Sequence, residues 1–274
     1  MDETLGDRMK GYEALEAGRR LMPRLPAAAR IDGRSFSAYT RDLARPYDER
    51  LSRLMIETTR ALVRETSARI GYTQSDEITL LFYADEPDGT IYFDGRVHKM
   101  VSQLAAQATA VFNHLLPQHL PEKAARASPS ALPTFDCRVW ALPSLAEAAN
   151  VLLWRELDAT KNSLSMAARA YFPHESLLNK RGGEMHEMLF AKGINWNDYP
   201  AFFKRGTYLQ RRMVRRRFTA DELDALPERH HARLDPDLAI ERAAYVELEM
   251  PPFNKVINRE GVAFHGEEPR VAAG

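Results

Sequence analysis

The residues of this 274-residue chain best suited to chemistry are three acids. Asp32 lies in RIDGRSF, and Asp76 and Glu77 lie in GYTQSDEITLLF, 44 residues further on. Taken as dipeptides they are ordinary, Asp32-Gly33 a turn and Asp76-Glu77 a hairpin tip. If the chain brought them together, they would form a hard oxygen site. Magnesium uses one or two carboxylates with water and substrate phosphates, and two such ions can serve both the attacking and the leaving oxygen of a phosphoryl transfer. Gly33 would let its carbonyl approach a metal, and the following DGRSFS loop offers backbone amides to a triphosphate.

Whether the acids meet depends on the elements around them. Residues 27–31 (AAARI) read as a short buried strand. Over 48–69, Leu51, Leu54, Met55, Thr58 and Leu62 share one helical face. Residues 70–75 and 78–83 read as two strands joined at a tight polar turn containing Ser75, Asp76 and Glu77. A ribbon is expected at 90–94. An amphipathic helix follows over 97–116, with Val97, Met100, Val101, Leu104, Ala108, Val111, Phe112 and Leu115 recurring. Residues 134–141 alternate Phe135, Cys137, Val139 and Ala141 inward as a strand. The order strand–helix–strand–strand–helix–strand is the split βαβ, or ferredoxin-like, plan, and the fold class is α+β. In a right-handed βαβ unit the first two strands run parallel and the third returns between them. The end of the first strand then shares an edge with the turn joining the next two. On that topology Asp32 converges with Asp76 and Glu77, and metal binding becomes the better reading.

The second half is harder to read. The stretch 117–133 holds four of the sixteen prolines and reads as a connection or flap. Ser144 with Glu147 resembles a capping box for a helix through about Trp154. The remainder reads as helical and irregular, with a late strand near Ala244–Leu248. Net charge is zero, yet residues 204–217 (KRGTYLQRRMVRRR) hold seven Lys/Arg and no acid, while residues 221–250 hold nine acids and three arginines. The basic run either binds a polyanion or forms an exposed helix whose arginines pair with the acids after it; charge alone does not separate the two. No window approaches a membrane span, and the N-terminus lacks the apolar core of a signal peptide, so the chain reads as cytoplasmic and without a membrane partner. Cys137 and the three tryptophans, Trp140, Trp154 and Trp196, read as packing or interface residues.

The segments RIDGRSFS, GYTQSDEITLLF and FDCRVW, followed by Pro143-Ser144 and the basic KRGTYL, resemble the tRNA(His) guanylyltransferase family. They look most like its bacterial and archaeal branch, the tRNA(His) guanylyltransferase-like proteins or reverse polymerases. The likeness is strongest over 30–85 and 134–166. It implies a polymerase-type palm over residues 1–143, with a helical and irregular extension over 144–274 that contributes to nucleotide and tRNA binding within one compact unit. It implies nucleotide addition to the 5′ end of tRNA in the 3′–5′ direction, with ATP or GTP activating a 5′-monophosphate, two Mg²⁺ ions per site, nucleoside triphosphates as substrates, and a homotetramer.

Residue by residue, the resemblance makes Asp32, the Gly33 carbonyl and Asp76 metal ligands, with Glu77 supporting the cluster. Asp32, Gly33, Arg34, Ser35, Phe36 and Ser37, with Ser75 and Asp76, match nucleotide-binding positions. Arg45 stands where many members carry a lysine near the phosphates; arginine would grip as a fork rather than a point charge. Eukaryotic members carry His-Ile-Asn-Asn after the palm. Here LDATKNSLSM puts Thr160, Lys161, Asn162 and Ser163 in those places, keeping only Asn162 as a nucleotide contact. That departure favours template-directed repair of 5′-truncated tRNAs over the alternative, a dedicated addition of the extra 5′ guanylate to tRNA(His). Lys161, Lys204, Arg205, Arg211 and Arg212 are the candidates for RNA phosphate contacts. Arg215, Arg216 and Arg217 suit that role or an intersubunit ion pair. A palm-related nucleotide cyclase would use the same carboxylates but leaves the later motifs and the basic run unexplained. A noncatalytic RNA-binding ferredoxin-like domain would expose aromatics on its sheet rather than acids at its edge.

Overall fold

The computed structural model describes residues 4–86, 88–128, 131–235 and 237–272. Its centre is a six-stranded antiparallel sheet, so the class is α+β as expected. The strands are β1 (Ala27–Gly33), β2 (Ile70–Gln74), β3 (Glu77–Phe82), β4 (Phe135–Ala141), β5 (Thr207–Arg217) and β6 (Ala239–Glu247), in the order β4-β1-β3-β2-β5-β6. β3 lies between β1 and β2, antiparallel to both.

The helices are α1 (Leu5–Ala17), α2 (Phe36–Tyr39), α3 (Glu49–Thr66), α4 (Val97–His119), α5 (Pro121–Ala124), α6 (Leu145–Tyr171), α7 (His174–Leu177), α8 (Gly182–Ala191), α9 (Ala201–Arg205), α10 (Ala220–Asp224), α11 (His231–Leu234) and α12 (Arg259–His265). Strand periodicity divides the core in two. Ala27, Ala29 and Ile31 of β1 face α3 and α4, joining Leu54, Leu62, Leu104 and Phe112. Ala28 between them faces α6 and α12, with Tyr72, Leu152, Tyr208 and Phe264. The far half of α6 packs Leu164 and Ala167 against Leu189 of α8 and Phe203 of α9. Among the described residues no helix is long and apolar enough to cross a membrane.

Several local expectations need correction. The ribbon at 90–94 is instead a 3₁₀ turn, Tyr92–Gly95: Phe93, Asp94 and Gly95 all have positive φ, which a pleated strand cannot accommodate. The connection at 117–133 contains more helix than its prolines suggested, since α4 runs through Pro117 and α5 follows, both anchored by buried Leu116 and Leu120; Pro129 and Ser130 of that stretch lie outside the described residues. The helix after Ser144 continues to Tyr171. Its apolar pattern was obscured by Arg155 and Glu156, two charged residues buried on the helix and fully partnered there. The basic run is a strand and not a helix. β5 pairs with β6, and its arginines meet acids across or beside the hairpin: Arg216 with Glu222 at 2.6 Å, Arg217 with Asp237 at 2.9 Å, and Arg215 opposite Glu241 in register. The late strand is longer than expected, beginning at Ala239.

Glu156 links the layers. Burial pushes its carboxyl above the usual range, while it accepts from the Tyr208 hydroxyl and the Phe253 amide, each at 2.7 Å. Glu156→Ala orphans two buried donors and should cost about 2–4 kcal/mol of unfolding free energy, read by urea titration. Tyr208→Phe should cost about 1 kcal/mol, because the carboxylate keeps its amide donor.

Candidate active site

The site is built at the end of β1 and the start of β3. Asp32 stands directly opposite Glu77 of β3 and Asp136 of β4. Gln74 pairs with Glu77, which leaves Ser75-Asp76 as a two-residue turn. Ser75 takes the left-handed conformation (φ 54°) unusual for a residue with a Cβ, and its hydroxyl donates to Asp76 Oδ1 at 2.9 Å. The Gly33 amide donates to the Asp76 carbonyl at 3.0 Å, tying the loop after β1 to the hairpin tip. Asp32 and Asp76 are thus brought to one sheet edge. Gly33 is demanded by the approach of Phe36, whose ring would lie 2.4 Å from an added Cβ. That ring anchors the loop among Tyr39, Phe112 and Phe135, with centroids 5.2–5.5 Å away.

Beside this edge lies a cavity of about 420 Å³. Gly33, Ser35, Phe36, Ser37, Arg45, Ser75 and Asp76 line it, so seven of the ten expected nucleotide-binding residues surround one space. Thr40, Tyr47, Asp48 and Met166 are also part of the wall, and none of these was singled out from sequence as a site residue. Arg34 is exposed and sends its amide to the Thr134 carbonyl at 2.8 Å. With the Gly33 amide also engaged, only amides from Ser35 onward remain for a phosphate. Arg45 projects beside the cavity with one long contact to the Thr40 carbonyl at 3.4 Å.

The acids differ in how their charge is met. Arg155 donates to both oxygens of Glu77, at 2.5 and 2.8 Å, and Arg30 lies 3.9 Å away. Burial raises the Glu77 carboxyl, with Arg155 opposing and Asp32 adding to the rise. Asp76 has no cation within ion-pair distance among the described residues. Burial chiefly, and the charge of Asp32 after it, hold its carboxyl above the usual range, against the Ser75 hydrogen bond. Arg155 also donates to Asp158 at 3.1 Å, and Asp158 accepts from Asn162 at 3.2 Å. Asn162 therefore joins the site through a relay along α6 and does not line the cavity. Sequence reasoning missed Arg155, though a basic residue between apolar Leu152 and Ala159 on one helix face was its signal. It also missed Asp136, which pairing the FDCRVW strand with β1 would have placed opposite Asp32.

The candidate RNA contacts separate. Lys161 is exposed on α6. Lys204 and Arg205 end α9 just before the stretch of β5 that pairs with β2 near the carboxylate edge. The Lys204 ammonium stacks over Trp196 at 5.5 Å and donates to the Asn197 carbonyl, and Arg205 donates to the Met250 carbonyl at 3.3 Å. Arg211 and Arg212 lie at the opposite end of the sheet, on a groove of about 1160 Å³ with Arg69 and Tyr83. Arg211 is exposed there, whereas the Arg212 guanidinium is spent on Gln210, Gly266, Glu267 and Glu268. Cys137 is buried, its thiol pushed up to about 12, and it packs as an apolar residue.

A family model described as tRNAHis guanylyltransferase matches residues 6–143. The Schizosaccharomyces pombe tRNA(His) guanylyltransferase is 30% identical over 213 residues, covering 73% of this chain and 77% of that protein. A bacterial tRNA(His) guanylyltransferase-like protein solved in complex with ATP superposes with a TM-score of 0.76 at 34% identity, covering 95% of this chain and 97% of the other. A second such bacterial structure, in complex with GTP, gives a TM-score of 0.70 at 31% identity over 92% and 94%. The chain belongs to the tRNA(His) guanylyltransferase family and is a nucleotidyltransferase of that family.

The raised carboxyl of Asp76 has a measurable sign. A carboxylate whose folded value lies above its unfolded one weakens the fold at every pH above that range, and has no effect once both states are protonated. In the presence of chelator, Asp76→Asn should therefore raise the melting temperature at pH 7. The gain should shrink as pH falls from the raised folded value toward the ordinary range of aspartate, about 4, and be gone below it.

Proposed function

We propose that the chain is a template-directed 3′–5′ nucleotidyltransferase that rebuilds truncated 5′ ends of tRNA, using ATP or GTP to activate a 5′-monophosphate. The observation that carries this reading is the cavity of about 420 Å³ opening onto the edge where Asp32 and Asp76 meet. ATP and GTP are the ligands of the two bacterial structures similar to this chain, and the likeness to them extends over nearly its whole length. Repair is favoured over obligatory guanylate addition by the Thr160-Lys161-Asn162-Ser163 segment. The Ser163 hydroxyl is committed to the carbonyls of Thr160 and Lys204, at 2.9 and 3.2 Å, and Asn162 to Asp158.

The donor set fits magnesium. Asp32 and Asp76 present like charges, and among the described residues no cation balances Asp76, while Glu77 is satisfied by Arg155. Among the described residues no group of three His, Cys, Asp or Glu converges as a self-sufficient cage. A hard cation completed by a carbonyl, water and substrate phosphate suits such a set. Asp32, the Gly33 carbonyl and Asp76 would hold two Mg²⁺ ions, which when bound favour ionisation of an attacking hydroxyl and offset charge on the leaving oxygen.

The protein's own part is positioning. The cavity wall from Ser35 to Ser37, with Ser75, orients the incoming nucleotide, and the Arg45 fork grips its phosphates. The 3′-oxygen of that nucleotide forms the new bond to the 5′ phosphorus of the RNA, and AMP leaves from an adenylylated end or pyrophosphate from a triphosphorylated one. Glu77, clamped by Arg155, fixes the start of β3 and with it the turn that carries Asp76. Lys161, Lys204, Arg205 and Arg211 are the proposed contacts for RNA phosphates; Arg212, engaged by Gln210, Gly266, Glu267 and Glu268, holds the C-terminal segment. β1 to β4, with α3 and α4, form the ferredoxin-like palm of residues 1–143, and residues 144–274 extend its sheet and cover its second face. A homotetramer, which the resemblance implies, would find an apolar surface on α1, where Leu5, Met9, Tyr12 and Leu15 are exposed.

Asp32→Ala and Asp76→Ala should each abolish nucleotide addition, by at least about a thousandfold, with circular dichroism unchanged. Full activity in either variant would overturn the assignment. Substrate preference is tested by offering a tRNA missing its first paired nucleotide beside a tRNA(His) lacking only its extra 5′ guanylate. Repair of the first, with each nucleotide specified by the opposite strand, is expected; preference for the second would reverse the reading.

A further inference from the structure

Trp154, read from sequence as a core or interface residue rather than a base-stacking platform, is 50% exposed. It stands on α6, where two guanidinium groups approach its ring, Arg155 at 4.6 Å and Arg30 at 5.6 Å from the centroid. Both cations also converge on one carboxylate, Glu77, through the bidentate pair with Arg155 and the longer 3.9 Å approach of Arg30. The two guanidinium groups therefore gather at Glu77 beside the indole, while half of the Trp154 surface stays exposed. Arg155 is itself buried and further held by Asp158, so the ring rests on a fixed cationic support.

The surroundings suit a flat, polar-edged ligand better than a protein partner. Leu157, 51% exposed, lies three residues along the helix and Lys161 a turn beyond. Arg138 of β4 sits opposite Arg30, with Asp136 beside it at 3.5 Å. Acids and bases nearly cancel here, so attraction rests on the aromatic face and not on a basic field. Position gives the ring its meaning. Arg30 precedes Asp32 by two residues on the same face of β1, its backbone roughly 7 Å from that of Asp32, and its guanidinium links the ring to that stretch of strand. The nucleotide cavity lies past Asp32 on the other side, bounded by Phe36, Tyr47 and Leu51.

We propose that the open face of Trp154 is a stacking platform for a nucleobase, the terminal base of the RNA acceptor, held across Asp32 and Asp76 from the nucleotide in the cavity. This rests on the proposed function and adds a binding subsite to it. A base stacked on an aromatic side chain contributes on the order of 1–3 kcal/mol, or about 5- to 150-fold in binding.

The kinetic test uses a 5′-triphosphorylated, truncated tRNA, which needs no activation. Trp154→Ala should raise the KM for this RNA about tenfold while leaving the KM for the incoming nucleotide and the melting curve unchanged; Trp154→Phe should recover most of the loss. An unchanged RNA KM in Trp154→Ala would overturn the proposal. A binding test independent of turnover follows tryptophan emission, comparing wild-type protein with Trp154→Phe so that the difference reports Trp154 alone. Quenching of that difference signal by the RNA, and not by ATP or GTP alone, is expected. Quenching by free nucleotide alone would reassign the platform to the activating nucleotide and overturn the RNA assignment; no quenching by either would remove the platform. Because emission reads binding, a chain that stacks RNA but extends no tRNA would refute the proposed activity while sustaining the platform.

Discussion

Like charges do not gather without enforcement, and the arrangement of this protein turns on how Asp32 and Asp76 are kept together. The enforcement is backbone geometry. β3 pairs with β1 so that its first residue faces Asp32, and the Gly33 amide takes the Asp76 carbonyl. Neither contact depends on the carboxylates, so the repulsion between them is borne by the central pairing of the sheet, where Ala27, Ala29, Ile31, Ile78, Leu80 and Phe82 are wholly or almost wholly buried. Burial, and the charge of Asp32 after it, hold the Asp76 carboxyl above its usual range, a local cost of the kind proteins trade for function.

α6 joins the two sides of that arrangement. Its first half covers the sheet through Ala148, Ala149 and Leu152, and its second half carries the small cluster with α8 and α9. Between them Arg155 and Glu156, neighbours of opposite charge, turn to different partners: Arg155 to Glu77 at the reactive edge, and Glu156 to Tyr208 and Phe253 in the interior. One helix therefore sets both the electrostatics of the edge and the docking of the last third of the chain. Buried ion pairs of this quality rarely add net stability, but losing one partner is costly, so they fix register.

The first half of the fold was legible because its elements are short, strongly periodic and ordered in a way that admits few topologies. The strands at 27, 70, 78 and 134 and the helices between them were placed within a few residues, and with them the convergence of Asp32 and Asp76. The cavity wall from Gly33 to Ser37 was legible through family likeness, since nothing in the spacing of Ser35 or Arg45 requires a pocket. What could not be read were features made by tertiary pairing. Arg155 looked like an interruption of a helix until Glu77 was seen to receive it, and the five arginines of 207–217 gave no strand signal, because β5 owes its extended form to the partner supplied by β6. Phe93, in the left-handed region, carries no compositional mark, although Asp94-Gly95 after it is a turn dipeptide.

Both borders of the sheet are strands studded with charge. β4 exposes Asp136 and Arg138, and β6 exposes Glu241 and Arg242, the latter paired with Glu222 from the loop that closes the hairpin. Unpaired strand rims invite a second molecule to add its own strand, the first step of ordered aggregation, and ionic side chains placed there make that addition unfavourable. A sheet ending instead at β2, with its buried Ile70 and Tyr72, would present a sticky apolar rim. The hairpin of β5 and β6 thus gives the completed sheet a charged border where β2 would otherwise end it.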